Sequence, residues 1–179
     1  MNYVFLYTAL ISITTMATVA CNDPDPVVTP YEGDLLNIPY NPVAYNIRKP
    51  DHFPQVPMPD SNRNTVEGVQ LGRRLFYDPI LSADSTMSCA SCHGPEGSFT
   101  DNKRFSLGID GLAGKRSSMS LLNVAYIPSG SFFGDGRAFS LENQARFPVE
   151  DVVEMHNTWP NVVSRLRRHP EYPMLFRKA

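Results

Sequence analysis

Apolar residues recur at helical spacing over only a few stretches of this chain. From Thr65 to Tyr77, Val66, Val69 and Gln70, then Leu75 and Phe76, set a stripe along one side. That stripe reads as core packing. Asn64 is placed to cap the helix, with Glu67 three residues on as a capping-box partner. Asp78-Pro79 stops it. Two shorter helices are predicted further on. Ser140 caps one that runs to about Phe147. The other runs from about Asn161 to His169, with Val162, Val163 and Leu166 on one face. Arg165, Arg167 and Arg168 stand near its end, where they suit the helix dipole. Pro170 and Pro173 then break it. Residues 80–120 hold many Ser, Gly and Asp residues and read mostly as loop. A loop this long is unusual unless something fills it. The sequence carries no repeat, no heptads and no convincing strand pair. The class is mostly α with long loops.

The ends of the chain change that picture. Residues 1–20 carry no charge. Residues 4–20 are mildly apolar, with four threonines and one serine, and make a poor spanning helix. They fit a secretory leader better. The small pair Val19-Ala20 before Cys21 resembles the lipobox of bacterial lipoproteins. This predicts a signal peptide over 1–20 and a lipid on Cys21 that anchors an exported, periplasmic protein to the membrane. Residues 21–60 hold nine of the sixteen prolines and read as a tether whose apolar members can dock on the domain. Residues 61–179 remain, enough for one compact domain. Charge is nearly balanced, 16 Lys+Arg against 18 Asp+Glu, which argues against a nucleic-acid partner.

The strongest chemical signal is Cys89-Ala90-Ser91-Cys92-His93. Two thiols three positions apart can each form a thioether to one vinyl group of a haem, and the adjacent histidine reaches the iron. One covalent haem c would also supply core beneath the long loops. A zinc site would want a second ligand pair. A thioredoxin-like pair would want a βαβ context, and a plain Cys89–Cys92 disulfide is a further rival. The second face of the iron decides what the haem does. His52, His156, His169, Met87, Met119, Met155 and Met174 are candidate sixth ligands. Met155 would make the protein a mono-haem electron carrier. By itself, neighbouring Glu154 reads as an ordinary surface carboxylate.

Longer motifs add a family. The run from Glu67 to Asp78, then Leu81-Ser82, then Ser88 to His93, resembles the N-terminal half of bacterial di-haem cytochrome c peroxidases. Phe99-Thr100-Asp101, Asn123-Val124-Ala125, Asp135-Gly136-Arg137-Ala138, Gln144-Ala145 and Val153-Glu154-Met155 follow in the same order. The resemblance implies a cytochrome c-like haem domain that reduces hydrogen peroxide. Electrons would come from a small donor protein such as a cytochrome, through a second haem domain. It implies that Cys89 and Cys92 hold the haem and His93 is the proximal ligand. Glu154 becomes the distal acid–base group, moving a proton between the peroxide oxygens, and Gln144 orients the peroxide. Met155 then points away from iron.

The departures are equally specific. Many relatives carry a distal histidine where this chain reads Leu107-Gly108-Ile109-Asp110-Gly111, so an open iron is expected. Gly134 stands where the family usually has an inter-haem tryptophan. Ser117 aligns near a calcium-binding asparagine, which leaves a calcium ion in doubt. No second CxxCH follows, so a truncated product is expected, or a second haem domain on another chain.

Overall fold

The computed structural model describes residues 31–127 and 130–179. Five α-helices carry the domain: α1 (Val66–Tyr77), α2 (Cys89–Cys92), α3 (Leu141–Glu150), α4 (Trp159–Arg168) and α5 (Tyr172–Lys178). Short 3₁₀ turns and long loops join them. Extended pairing among the described residues is confined to isolated bridges, Ala44 with Thr65, Leu107 with Ala113 and Phe132 with Ala138. The chain is mostly α, as its patterning predicts.

The cap of α1 differs from expectation. Thr65, not Asn64, caps it, accepting from the Gly68 amide at 2.9 Å. The backbone of Asn64 is occupied instead: its carbonyl accepts from the Tyr45 amide at 2.9 Å. Glu67 reaches outward to the Val43 amide rather than back to a cap. The N-terminal segment lies against this end of α1, and that pairing moves the helix start by one residue. The buried member of the stripe is Leu71, whereas Gln70 is exposed.

Ser140 caps α3 as predicted, accepting from the Asn143 amide at 3.0 Å. The helix runs past Phe147 and through Pro148 to Glu150. Thr158 caps α4, so this helix starts two residues before Asn161 and takes Pro160 into its first turn. The C-terminal prolines do not leave a loop. Pro173 sits in the first turn of α5, where a proline's missing N–H costs nothing.

Val149, Met155 and Val162 form the buried cluster that joins α3 to α4, with Leu81, Cys89, Trp159 and Leu166 packed around it. Tyr172 of α5 is fully buried and donates its hydroxyl to Asp78 at 2.6 Å, closing α5 onto the end of α1. Residues 31–62 lie along the domain. Arg177 donates to the Leu35 carbonyl at 3.1 Å, Phe53 meets Tyr126 edge-on, and Asn62 donates to Glu142 at 2.9 Å.

Only seven apolar side chains are buried among the described residues, so each one matters to stability. Val162→Ala removes two methyl groups at 0 % exposure and is expected to cost about 2 kcal/mol or more. Denaturant unfolding of the two proteins checks this.

Candidate functional site

The Cys–His turn is set up by its own cap. The Ser88 amide donates to Ser91 Oγ at 3.1 Å, and the His93 amide closes the turn on the Cys89 carbonyl at 3.0 Å. Cys89 and Cys92 therefore stand three apart on one helical turn, on neighbouring positions. Both thiols are free. Burial raises both above the ordinary cysteine range. For Cys89 the charges of Cys92 and Glu154 add to that, and for Cys92 those of Asp101 and Glu154.

The His93 ring is fixed by the loop that follows. Its Nδ1 lies 3.0 Å from the Phe99 carbonyl. Donation there places the lone pair on Nε2, the nitrogen pointed away from that carbonyl. Bringing the carbonyl to the ring bends the loop hard. Ser98, Phe99 and Asn102 all take left-handed backbone, at φ 58°, 61° and 53°. Such conformations in non-glycine residues persist only where the surroundings hold them. Here the Phe99 amide donates to the Gly94 carbonyl at 2.8 Å.

Asp101 anchors the far side of that loop. Its amide donates to Ser118 Oγ at 2.9 Å, and its Oδ1 accepts from Ser118 Oγ and the Lys103 amide. Its Oδ2 is buried without a partner. Burial would raise this carboxyl, but the bonds from Lys103, Ser106 and Ser118 outweigh it and hold the group below the ordinary range.

Glu154 lies on the turn that joins α3 to α4. That turn is a backbone knot. The amides of Glu154 and His156 both donate to the Asp151 carbonyl at 3.0 Å, Met155 donates to Pro148, and Asn157 to Val149. The Glu154 carboxylate is half-buried and accepts no hydrogen bond among the described residues. Burial, then the charge of Asp151, raises it above the usual glutamate range, against a lowering by Arg137. The next residue, Met155, shares its apolar cluster with Cys89, and the charge of Glu154 helps to raise both thiols. Gln144 is half-buried in the second turn of α3. No hydrogen bond joins it to Glu154 among the described residues.

The loop without a histidine packs onto the Glu154 turn. The Ile109 amide donates to the Glu154 carbonyl at 3.0 Å, and His156 Nδ1 lies 2.6 Å from Asp110 Oδ2. Both members of that pair are half exposed, so it contributes under about 1 kcal/mol.

Met155 is buried in the apolar cluster. His169 packs on Tyr172 and accepts from the Glu171 amide, and His52 is exposed beside Phe53. Met119 is exposed, while Met87 and Met174 are half-buried. No group of three His, Cys, Asp or Glu capable of holding a metal ion occurs among the described residues. At Gly134 an added Cβ would run into the Arg116 guanidinium, so an arginine crowds the position of the family tryptophan. Cys21 lies outside the described residues.

Sequence reasoning missed three site residues. Arg165 donates to the carbonyls of Ser82 and Ala83, and Asn157 to that of Leu81, fixing the approach to the Cys–His turn. The Phe99 carbonyl orients His93. A basic residue on a helix and an asparagine before it carry no signal of such bonds.

A mostly helical domain with long loops and a Cys-x-x-Cys-His turn, its histidine oriented from Nδ1, has the build of a c-type haem domain. The donor set fits that group: two unpaired thiols on one turn and a histidine nitrogen left free. The family model for di-haem cytochrome c peroxidase matches residues 66–179, and the chain belongs to that family. It is 40% identical over 132 residues to "Methylamine utilization protein MauG" of Methylorubrum extorquens, covering 74% of this chain and 36% of that protein. It is 33% identical to "Cytochrome c peroxidase Ccp" of Escherichia coli, over 74% of this chain and 29% of the other. Among solved structures, a MauG-like protein associated with microbial copper homeostasis superposes with a TM-score of 0.68. The identity there is 33%, covering 74% of this chain and 39% of that one. The chain thus spans well under half the length of these relatives.

Ser118→Ala removes both bonds to Asp101 and is expected to cost about 2 kcal/mol at neutral pH. A carboxyl held low stabilises the fold above its unfolded value, 3.8, and loses that contribution as pH falls through its lower folded value. The difference between the two proteins should therefore shrink below about pH 4. Unfolding measured from pH 7 down to 3 checks both parts.

Proposed function

We propose that this chain is the peroxide-reducing haem half of a bacterial di-haem cytochrome c peroxidase. Cys89 and Cys92 would hold one haem through thioethers, and His93 would ligate it through Nε2. Bound there, haem would supply the redox chemistry of peroxide reduction. Each peroxide consumes two electrons and two protons and leaves two waters.

The observation that carries the reading is the state of Glu154. It is a half-buried carboxylate with its lone pairs uncommitted, close enough to act on both attachment cysteines. A carboxylate raised by burial holds and releases a proton nearer neutrality than an exposed one. Glu154 takes a proton from one oxygen of peroxide and returns it to the other, which leaves as water. Gln144 orients the peroxide from α3. The lack of a histidine in residues 107–113 supports a second face left open to peroxide rather than an electron carrier.

Electrons come from a cytochrome or similar donor, by way of a second haem domain. The leader and Cys21 support export to the periplasm and a lipid anchor. No helix among the described residues is long and apolar enough to cross a membrane.

The first test is the ferric optical spectrum of the chain produced by an exporting host with c-type maturation. A high-spin spectrum is expected, and a low-spin one would overturn the open iron. Cys89→Ser combined with Cys92→Ser should abolish haem that survives a denaturing gel.

Glu154→Gln should leave that spectrum unchanged and slow the peroxide reaction roughly 100-fold. In the parent the rate should rise with pH through a value above the ordinary glutamate range, since the base form appears only there. The Gln variant should show no such limb. Stopped-flow rates across pH measure both effects, and an unchanged rate removes Glu154 from the mechanism.

A further inference from the structure

A carboxylate that no hydrogen bond holds is placed by its backbone. That makes whatever bears on the Glu154 backbone a determinant of where the carboxylate sits. Outside the turn's own knot, the 107–113 loop is what bears on it. Ile109 donates to the Glu154 carbonyl at 3.0 Å. Gly108 lies so close that an added Cβ would collide with the backbone carbonyls of Val153 and Glu154. Its backbone is not left-handed, so the need for glycine is steric alone. The loop is closed on itself by a bridge between Leu107 and Ala113 and by Gly108 donating to Leu112 at 3.0 Å, so it moves as one piece. One side-chain pair then ties that piece down: Asp110 Oδ2 and His156 Nδ1 at 2.6 Å, bridging 46 residues. His156 holds a left-handed backbone, φ 47°, in this arrangement.

We propose that the 107–113 loop is the positioning device for Glu154, abutting its backbone through Gly108 and Ile109 and latched there by Asp110 and His156. This rests on the reading of Glu154 as the acid–base group. The latch is half exposed and adds little to overall stability. Its work is to select one place for the loop, and with it one place for the carboxylate. A displacement near 1 Å in such a group costs about 100-fold in rate. Asp110 and His156 are positioning residues, since neither needs to touch peroxide.

The test uses the full haem-loaded chain with Gly108→Ala and Asp110→Ala, each made in the parent and in the Glu154→Gln background. Peroxide reaction rate, ferric spectrum and hydrogen–deuterium exchange over residues 105–113 and 150–157 are read together. Asp110→Ala should raise exchange in both segments and slow the reaction about five- to tenfold, with the ferric spectrum unchanged. Gly108→Ala should slow it about 100-fold. Neither should slow the Glu154→Gln protein further. Should Gly108→Ala fail to fold, Asp110→Ala carries the test, because the exposed pair is dispensable to the fold. Unchanged exchange in Asp110→Ala would overturn the latch. Raised exchange at an unchanged rate would reduce it to a structural contact and overturn positioning. Equal slowing in the Glu154→Gln background would show that the loop acts by another route. If Glu154→Gln is itself silent, the reading of Glu154 falls. Exchange alone then decides whether the loop holds that backbone.

Discussion

Everything around the Cys–His turn depends on the backbone of residues 80–85 being bonded, group by group, to α4 and the turn before it. The Arg165 guanidinium takes the carbonyls of Ser82 and Ala83, Asn157 takes that of Leu81, and the Ala83 amide returns to the Met155 carbonyl at 2.9 Å. Asn157 is itself buried, and its Oδ1 accepts from Thr158 and Asn161, so the amide cannot swing away. Buried backbone groups must find partners, and in a stretch with no helix or sheet these side chains provide them. The consequence is geometric. The segment leading to Cys89 and the turn carrying Glu154 share one bonded unit, with Met155 and Cys89 in the same apolar cluster. The attachment site and the proposed acid–base group are therefore held in register by these bonds and by the packing of Cys89 in that cluster.

What the sequence made legible was what is local. Ser140 caps α3 three residues ahead of the amide it serves. The Cys–His turn is visible because its ligands lie within five positions. The misplaced features are those where tertiary contacts override a local signal. Asn64 and Thr65 are both favoured caps by type, and pairing with residues 43–45 decides between them. Pro173 reads as a breaker unless it is known to fall in a first turn. Arg165 looks like a charge suited to the helix end, while its guanidinium is spent on carbonyls more than eighty residues away. Left-handed backbone at Ser98 and Phe99 has no glycine to announce it. The site was thus readable residue by residue, but the bonds that orient it were not.

The loop chemistry explains how so small a core supports so specific a site. Long loops forfeit helical hydrogen bonds, and few apolar side chains are buried to offset their ordering. The described loops answer with side-chain anchors at short range. Asp84 takes Thr86, Asp78 takes Ile80, Asp151 takes Val153, and Asp101 takes Lys103. Each is an aspartate accepting from the amide two residues on, a turn that needs no partner from elsewhere. These four aspartates are thereby folding devices before they are charges. A haem bound at the Cys–His turn would add apolar contact to loops already shaped by these bonds.

Two carboxylates near the cysteines take opposite paths. Asp101 and Glu154 each raise the Cys92 thiol by their charge, so both lie within its reach. Asp101 accepts on one oxygen from a hydroxyl and an amide, which stabilise the anion and hold it low. Glu154 has burial and a neighbouring Asp151, which destabilise the anion and raise it against the opposing charge of Arg137. Groups of one chemical type whose surroundings push their proton affinities apart divide structural from proton-moving roles. By that criterion Asp101 is the fixed charge that secures the loop presenting the Phe99 carbonyl to His93. Glu154, left without a donor, is the group proposed to exchange a proton. The division follows from where donors are supplied.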